Sequence, residues 1–366
     1  MSLQLNGTDG VTFNDGSEQW AAASPIGTKN LIINGDMQIA QRGTSSTGHA
    51  TGGYFTVDRF GFYPSGLGTW TNTQSTDVPS EQGFSNSYKL ECTTADASPA
   101  APDVLTIQQK IEAQNLQHLN YGTSSAKTTT LSFWVKSNKT GTYNFNLKKD
   151  DDNRRIVKQY TISSANTWEK KTITIEGDTS GVINNDNGVG LQLVFWLGAG
   201  SDYTTGSVPT GWSVAATTDY APSQVNLADS TSNYINITGV QLEVGDTATP
   251  FEVMPYDMNL ARCQRYFQIV PFSGTAHNSS ELCVTGTFRV DMRDTPSINS
   301  TVTNIPSYYG GSLNTLFNVG YGNAGVGNAY FAPGVVSKQG FGQMYVTSGL
   351  TGGRLYAGGA ILSAEL

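Results

Sequence analysis

The sequence predicts an all-β protein: a jelly-roll β-sandwich with a short N-terminal arm, a short linking helix and a C-terminal β domain. Three observations lead there. Apolar and polar residues alternate over many short runs, as half-buried strands require. Gly, Asn, Ser and Thr cluster between those runs, where turns need positive φ and local hydrogen bonds. Charged residues make up only 14% of the chain, too few for the exposed faces of long helices. Aromatic residues, at 10%, argue for packed sheets rather than a disordered polar chain.

The elements follow in order. Residues 1–29 read as an attachment arm, with a small strand and turn over Val11–Ser17 and a large apolar group at Trp20. An aromatic residue on a short polar arm packs on its own next domain or on a partner. Residues 30–255 read as the sandwich. Thr130–Lys136 and Tyr143–Lys148 alternate cleanly. Asp150–Asn153 supply a turn, Ile156–Ile162 the returning strand. Trp168–Ile175, Gly190–Leu197 and Ile235–Leu242 continue the series. Pro250 and Pro255 mark a boundary, and 256–366 read as the linking helix (Met258–Gln268) and the C-terminal β domain. Within it Phe288–Ile298 is expected to be a strand ending at a proline, and Ala360–Leu366 the last strand. Many short strands with few helices call for two packed sheets.

Composition removes several functions. The net charge is −8 and no basic stripe exists to neutralise phosphates, so a nucleic-acid partner is not expected. Arg154-Arg155 and Lys170-Lys171 read as solvated hairpin pairs. Cys92, Cys263 and Cys283 cannot all pair within one chain, which excludes a disulfide scaffold; buried thiols are expected, with a Cys263–Cys283 bond the one open pairing. The first residues do not read as a signal peptide, and no apolar run is long enough for membrane insertion.

Motif searches find little catalytic chemistry. Gly320–Gly325 fits G-x-G-x-x-G, but the residues after it are strand-like and no acidic residue follows at ribose-binding distance, so turn glycines are the better reading. His49, His118 and His277 are scattered and make no metal motif. No G-x-S-x-G elbow occurs. Asp150–Asp152 read as a hairpin tip rather than half of a glycosidase pair. No enzyme is expected.

Two phrases carry a resemblance. Asn30-Leu31-Ile32-Ile33-Asn34-Gly35-Asp36-Met37 opens the sandwich, and Gly239-Val240-Gln241-Leu242-Glu243-Val244-Gly245 closes it, followed by Thr249-Pro250-Phe251-Glu252 and Ala261–Phe267. Together with Phe288–Ile298 and the C-terminus they resemble the sandwich modules, similar to carbohydrate-binding ones, of bacteriophage tail fibres and virion surface proteins. The resemblance covers about 30–298 plus the terminus. It implies that the two phrases neighbour each other, that the arm attaches to other virion proteins, that the chain forms a homotrimer, and that it works on the virion against bacterial surface polysaccharide. A capsid decoration, head-fibre or tail connector protein is the alternative, and a polysaccharide depolymerase a further one. Related sugar-binding sandwiches also hold a structural calcium, which would place Asp36 and Glu243 as ligands with an Asn34 carbonyl. This chain departs from that pattern, with Thr238-Gly239 where an aspartate is usual.

Sugars stack their C–H faces on aromatic rings and align hydroxyls with amides and carboxylates. Trp134 and Trp196, within apolar-rich strands, are assigned to the core, and Trp168, which opens a strand, to a structural role. Trp70 and Trp212, with polar and Gly-rich neighbours, are the candidates, joined by Tyr203 and Tyr220 in the long Gly198–Asn226 loop. A second aromatic set, Tyr308, Tyr309, Tyr321, Tyr330, Phe331, Phe341, Tyr345 and Tyr356, fits a glycan-binding tip or a subunit interface.

Overall fold

The computed structural model describes residues 28–276, 281–298, 337–346 and 355–366, with short strands at 11–12, 18–19, 317–318 and 329–331. Side chains are described over 28–270, 286–296, 337–340 and 362–366. In the arm, β1 (Val11–Thr12) pairs antiparallel with β2 (Glu18–Gln19). Trp20 lies outside the described residues, as do Gly320–Gly325, His277 and the side chains of the C-terminal aromatic set.

The body is an all-β sandwich of two antiparallel sheets. Its strands are β3 (Ser45–His49), β4 (Gly61–Ser65), β5 (Thr69–Ser75), β6 (Ser87–Thr94), β7 (Val104–Glu112), β8 (Thr129–Ser137), β9 (Gly141–Lys149), β10 (Arg155–Ile162), β11 (Glu169–Ile175), β12 (Val189–Ala199) and β13 (Tyr234–Val244). One sheet runs β11-β8-β13-β6-β5-β3, the other β10-β9-β12-β7-β4. The period-2 pattern does the sorting. Leu131, Phe133 and Val135 of β8 face Tyr143, Phe145 and Leu147 of β9 and Leu191, Leu193, Phe195 and Leu197 of β12 across one core. Phe195 meets Phe133 and Phe145 with ring centroids 5.2 and 5.1 Å apart. Each such side chain contributes about 1.5–3 kcal/mol by leaving water.

The two bracketing phrases are neighbours, and a bulge joins them. The β13–β8 register shifts between Thr238 and Gln241, around Gly239 with φ +61°. Val240 then turns to the opening segment, which is coil rather than a strand. Val240 N–H donates to Gly35 O (2.9 Å), and Asn30 Nδ2 donates to Val240 O (3.1 Å). Leu31 N–H and Leu242 O continue the contact at 2.9 Å. At Gly35 a Cβ would stand 2.1 Å from Val240 O, so only glycine fits.

After the sandwich, α1 (Ser201–Thr204) lies within the Gly198–Asn226 loop and α2 (Tyr256–Gln264) follows Pro255. The helix is shorter than the sequence suggests, because Phe267 and Gln268 already belong to β14 (Phe267–Ala276). A third sheet combines β14 with β15 (Glu281–Thr287), β16 (Ser297–Ile298), β17 (Phe317–Asn318), β18 (Ala329–Phe331), β19 (Gly340–Val346) and β20 (Leu355–Ser363). The expected strand at 288–298 is mostly irregular: β15 ends at Thr287, and Arg289 N–H and Arg293 N–H turn to Gln268 Oε1 and Arg265 O. Ala360–Ser363 do form strand, in β20 beside β14.

A buried ionic junction ties α2 and the C-terminus to the sandwich. Arg59, with φ +71° and no exposed surface, pairs with Glu365, donates to Lys110 O (2.8 Å) and stacks on Tyr266 at 3.4 Å. Arg42 reaches Glu365 at 3.0 Å. Arg265 holds Glu112 through two 2.7 Å contacts, and Tyr266 OH donates to the same carboxylate at 2.5 Å. Burial disfavours ionised Glu112, yet these donors outweigh it and hold the carboxyl below its usual range. Cys92 and Cys263 are free, buried thiols, which removes the Cys263–Cys283 pairing.

Candidate functional site

Alternation along β9, β10 and β12 gives the five-stranded sheet an unusual outer face. With Tyr143, Phe145 and Leu147 turned inward, Asn144 and Asn146 point outward. On β12 the outward set is Gln192, Val194 and Trp196, and on β10 it is Arg155, Val157 and Gln159. Register puts Asn146 between Val194 and Val157, and Arg155 beside Lys148.

The Gly198–Asn226 loop folds back over this face and is pinned by its amides. Asn146 Nδ2 donates to Tyr220 O (3.0 Å), Asn144 Nδ2 to Pro222 O (3.1 Å), and Gln159 Nε2 to Pro222 O (2.8 Å). Arg155 and Ser213 exchange two backbone hydrogen bonds of 2.8 and 3.0 Å. Tyr203 and Tyr220, both half-buried, come together 6.2 Å apart at 29°. Trp196 lies under them, 5.4 Å from Tyr203. The Arg155 guanidinium packs on the Tyr220 ring at 3.3 Å. Burial disfavours the Arg155 charge, and Tyr220 and Asp150 offset part of that.

Three buried polar atoms around Tyr220 have no hydrogen-bond partner among the described residues: Trp196 Nε1, Arg155 Nε and Asn146 Oδ1. Two are donors and one is an acceptor. Leaving such groups unmade costs about 1–3 kcal/mol each. Stacked rings beside unmet donors and acceptors are the chemistry a saccharide satisfies.

At the other end of β7 and β12 lies a cleft of about 480 Å³. Its walls are the 28–33 coil, the end of β7 with the 3-10 turn Ala113–Leu119, and α2. Leu31, Lys110, Asn115, His118, Arg262 and Tyr266 are among its lining residues. A small pocket on the far side of Arg262 contains Asp36 and Glu252.

The sequence-predicted residues separate. Tyr203 and Tyr220 meet. Trp70 is a correction: it has no exposed surface, faces Phe62 in the core and donates through Nε1 to Leu67 O (2.8 Å). Thr69 and Thr71 point the other way and Asn72, on Trp70's side, is itself buried, so polar neighbours on β5 gave a false sign of exposure. Trp212 is half-buried away from the tyrosines, against Tyr121, and donates to Glu176 O (2.6 Å). Trp134, expected in the core, is half-buried on the outer face of its sheet, and Trp196 is buried under the loop rather than between the sheets. Asp36 and Glu243 are engaged separately: Asp36 accepts from Asn259 (3.1 Å), and Glu243 from Thr249 and Gln241. Burial raises the Asp36 pKa. Among the described residues no group of three or more acidic, His or Cys side chains gathers to hold an ion.

Sequence reasoning missed Arg155, Asn144 and Asn146 as partners of the loop. Their signal was available: two amides alternating with three core residues on one strand mark an outer face built from amides. The cleft had no such signal, since its walls come from three distant segments.

No protein-family model matches this chain, and no curated protein matches it. Solved structures resemble it distantly. The enzymatically active domain of tailspike protein 4 of bacteriophage CBA120 is 14% identical over 59% of this chain, which spans only 21% of that one, with a TM-score of 0.32. A putative sugar binding protein from Bacteroides thetaiotaomicron is 11% identical over 59% of this chain and 100% of its own, with a TM-score of 0.32. The family 11 carbohydrate-binding module from Clostridium thermocellum, solved with a mixed-linked tetrasaccharide, is 14% identical over 56% of this chain and 98% of its own, with a TM-score of 0.27. Likeness at this level assigns no chemistry to the chain.

Proposed function

We propose that this chain is a non-enzymatic glycan-binding protein of a phage particle surface, a tail-fibre or receptor-binding subunit that contacts bacterial polysaccharide. The observation that carries the glycan reading is the stacked Tyr203–Tyr220 pair over Trp196, ringed by the unmet Trp196 Nε1, Arg155 Nε and Asn146 Oδ1. The half-buried rings offer a stacking surface, and displacement of the loop edge would bring hydroxyls to the three polar atoms. The phage setting, the trimer and the attachment arm rest on the sequence resemblance alone.

The test is retention of the full chain on immobilised surface polysaccharides from a panel of bacteria. Replacing both Tyr203 and Tyr220 by alanine is expected to weaken retention about tenfold or more, which corresponds to about 1.4 kcal/mol. Unchanged retention removes this face from the site. Release of reducing ends during incubation would identify a depolymerase instead. Gold-labelled antibody against 256–366 on intact particles separates fibre tips from capsid decoration.

A further inference from the structure

We infer that the cleft between the 28–33 coil, the Ala113–Leu119 turn and α2 is a second binding site, which takes a hexuronate residue and pairs its carboxylate with Arg262.

The first argument is charge. The chain has 29 acidic against 21 basic residues, yet no aspartate or glutamate lines this cleft, while Lys110 and Arg262 do. An acid-rich chain that gathers only cations in one concavity has built a local field for an anion.

The second argument is the state of Arg262. Its one polar contact among the described residues is a 3.8 Å approach of Nη1 to Met254 Sδ. Burial disfavours its charge, and Cys263, Tyr266 and Glu252 offset part of that from a distance. Nearby Glu252 is engaged elsewhere, its carboxylate accepting from the backbone N–H of Lys29 (3.1 Å) and Asn30 (2.7 Å). The contrast with the buried cations is internal to the molecule: Arg59, Arg42 and Lys149 have carboxylate partners, and Arg155, which has none, is covered by the Tyr220 ring instead. A half-buried guanidinium without one gains most from an incoming carboxylate, which it can grip through two parallel N–H bonds.

The third argument concerns the rest of the ligand. Asn115 and Gln114 are exposed at the rim and can meet hydroxyls, the His118 ring has no hydrogen-bond partner among the described residues, and Leu31 offers an apolar surface to a sugar's C–H face. Lys110 spends one donor on Leu366 O (2.8 Å), leaving two. A volume of about 480 Å³ lies in the range of small-molecule sites. Polar lining beside one apolar patch suits a hydroxylated anion better than a bare one.

The experiment uses the full chain and calorimetric titration with tetrasaccharides of glucuronate, galacturonate and mannuronate, neutral glucose and galactose tetrasaccharides, and inorganic sulfate and phosphate. At least one uronate is expected to bind ten times or more tightly than every neutral probe, with affinity falling as salt rises. Arg262→Gln should cut that affinity tenfold or more with no change in melting temperature, Arg262→Lys should fall between, and Tyr203→Ala/Tyr220→Ala should leave it intact. Equal binding of neutral probes, equal binding of sulfate or phosphate, no uronate binding, or an Arg262→Lys protein that binds like the parent chain each overturns the inference. Loss of uronate binding in the tyrosine variant would assign it to the aromatic face and overturn it as well.

Discussion

The two ends of the five-stranded sheet solve opposite problems with similar residues. Under the Gly198–Asn226 loop, aromatic rings and amides are covered by the chain itself, and the groups left over are neutral donors and acceptors plus the Nε of a stacked arginine. In the cleft beside α2 the walls stay apart and the group left over is a whole cation. Residue type does not separate them, since both contain arginine, tyrosine and amides. What separates them is how much of each side chain the fold has already used. Trp70 makes the same point from the other side: a tryptophan with every atom engaged has nothing left to offer a ligand.

The largest effect that tests this contrast is Trp196→Ala. Trp196 is the floor on which Tyr203 and Tyr220 rest, and its loss is expected to cost about 3–5 kcal/mol in a denaturant melt. A cost below about 1 kcal/mol would mean that the loop is held by its amides alone and that the aromatic cluster is not structural.

Glu112→Gln comes next and probes the cleft's support. The carboxylate is fully buried and holds Arg265 and Tyr266, which fix the C-terminal end of α2. Loss of its charge-assisted hydrogen bonds is expected to cost about 2 kcal/mol at pH 7. The sign of the pH dependence follows from its depressed pKa. The stabilisation is present above the unfolded value of about 4.3 and is lost as pH falls through the lower folded value. Urea melts of both proteins should therefore converge toward acid pH. A gap that widens on acidification would contradict the assignment.

Tyr220→Leu is the mildest of the three. It removes the packing of Arg155 on the ring and the stacking on Tyr203, at about 1 kcal/mol. Uronate binding in the cleft should not change, whereas retention on neutral polysaccharide should fall. Equal loss of both would show that the two ends act as one site.

Much of the fold was legible in the sequence because a strand's period is short and its signal local. Tyr143, Phe145 and Leu147 announce their face within six residues, and the turn at Asp150–Asn153 announces the return. The pairing of the Asn30 and Val240 phrases was legible only through resemblance; its physical cause is the Gly239 bulge and the bare Cα of Gly35. The boundary at Gln264 was misread because Phe267 fits a helix period as well as the strand it joins. Tyr203 and Tyr220 read together because they share a loop, and their rings do meet, while Trp196 reads as core since apolar neighbours cannot say which side of a sheet is covered.

The sequence by itself determined an all-β sandwich, its order of strands and the aromatic character of one loop, because alternation and turn chemistry act over a few residues. The tertiary structure decided which rings meet, which arginines are paired and where a cleft remains. Arg262 and His118 are 144 positions apart, and whether Arg262 faces a carboxylate depends on side chains brought beside it by chain segments that no local pattern connects.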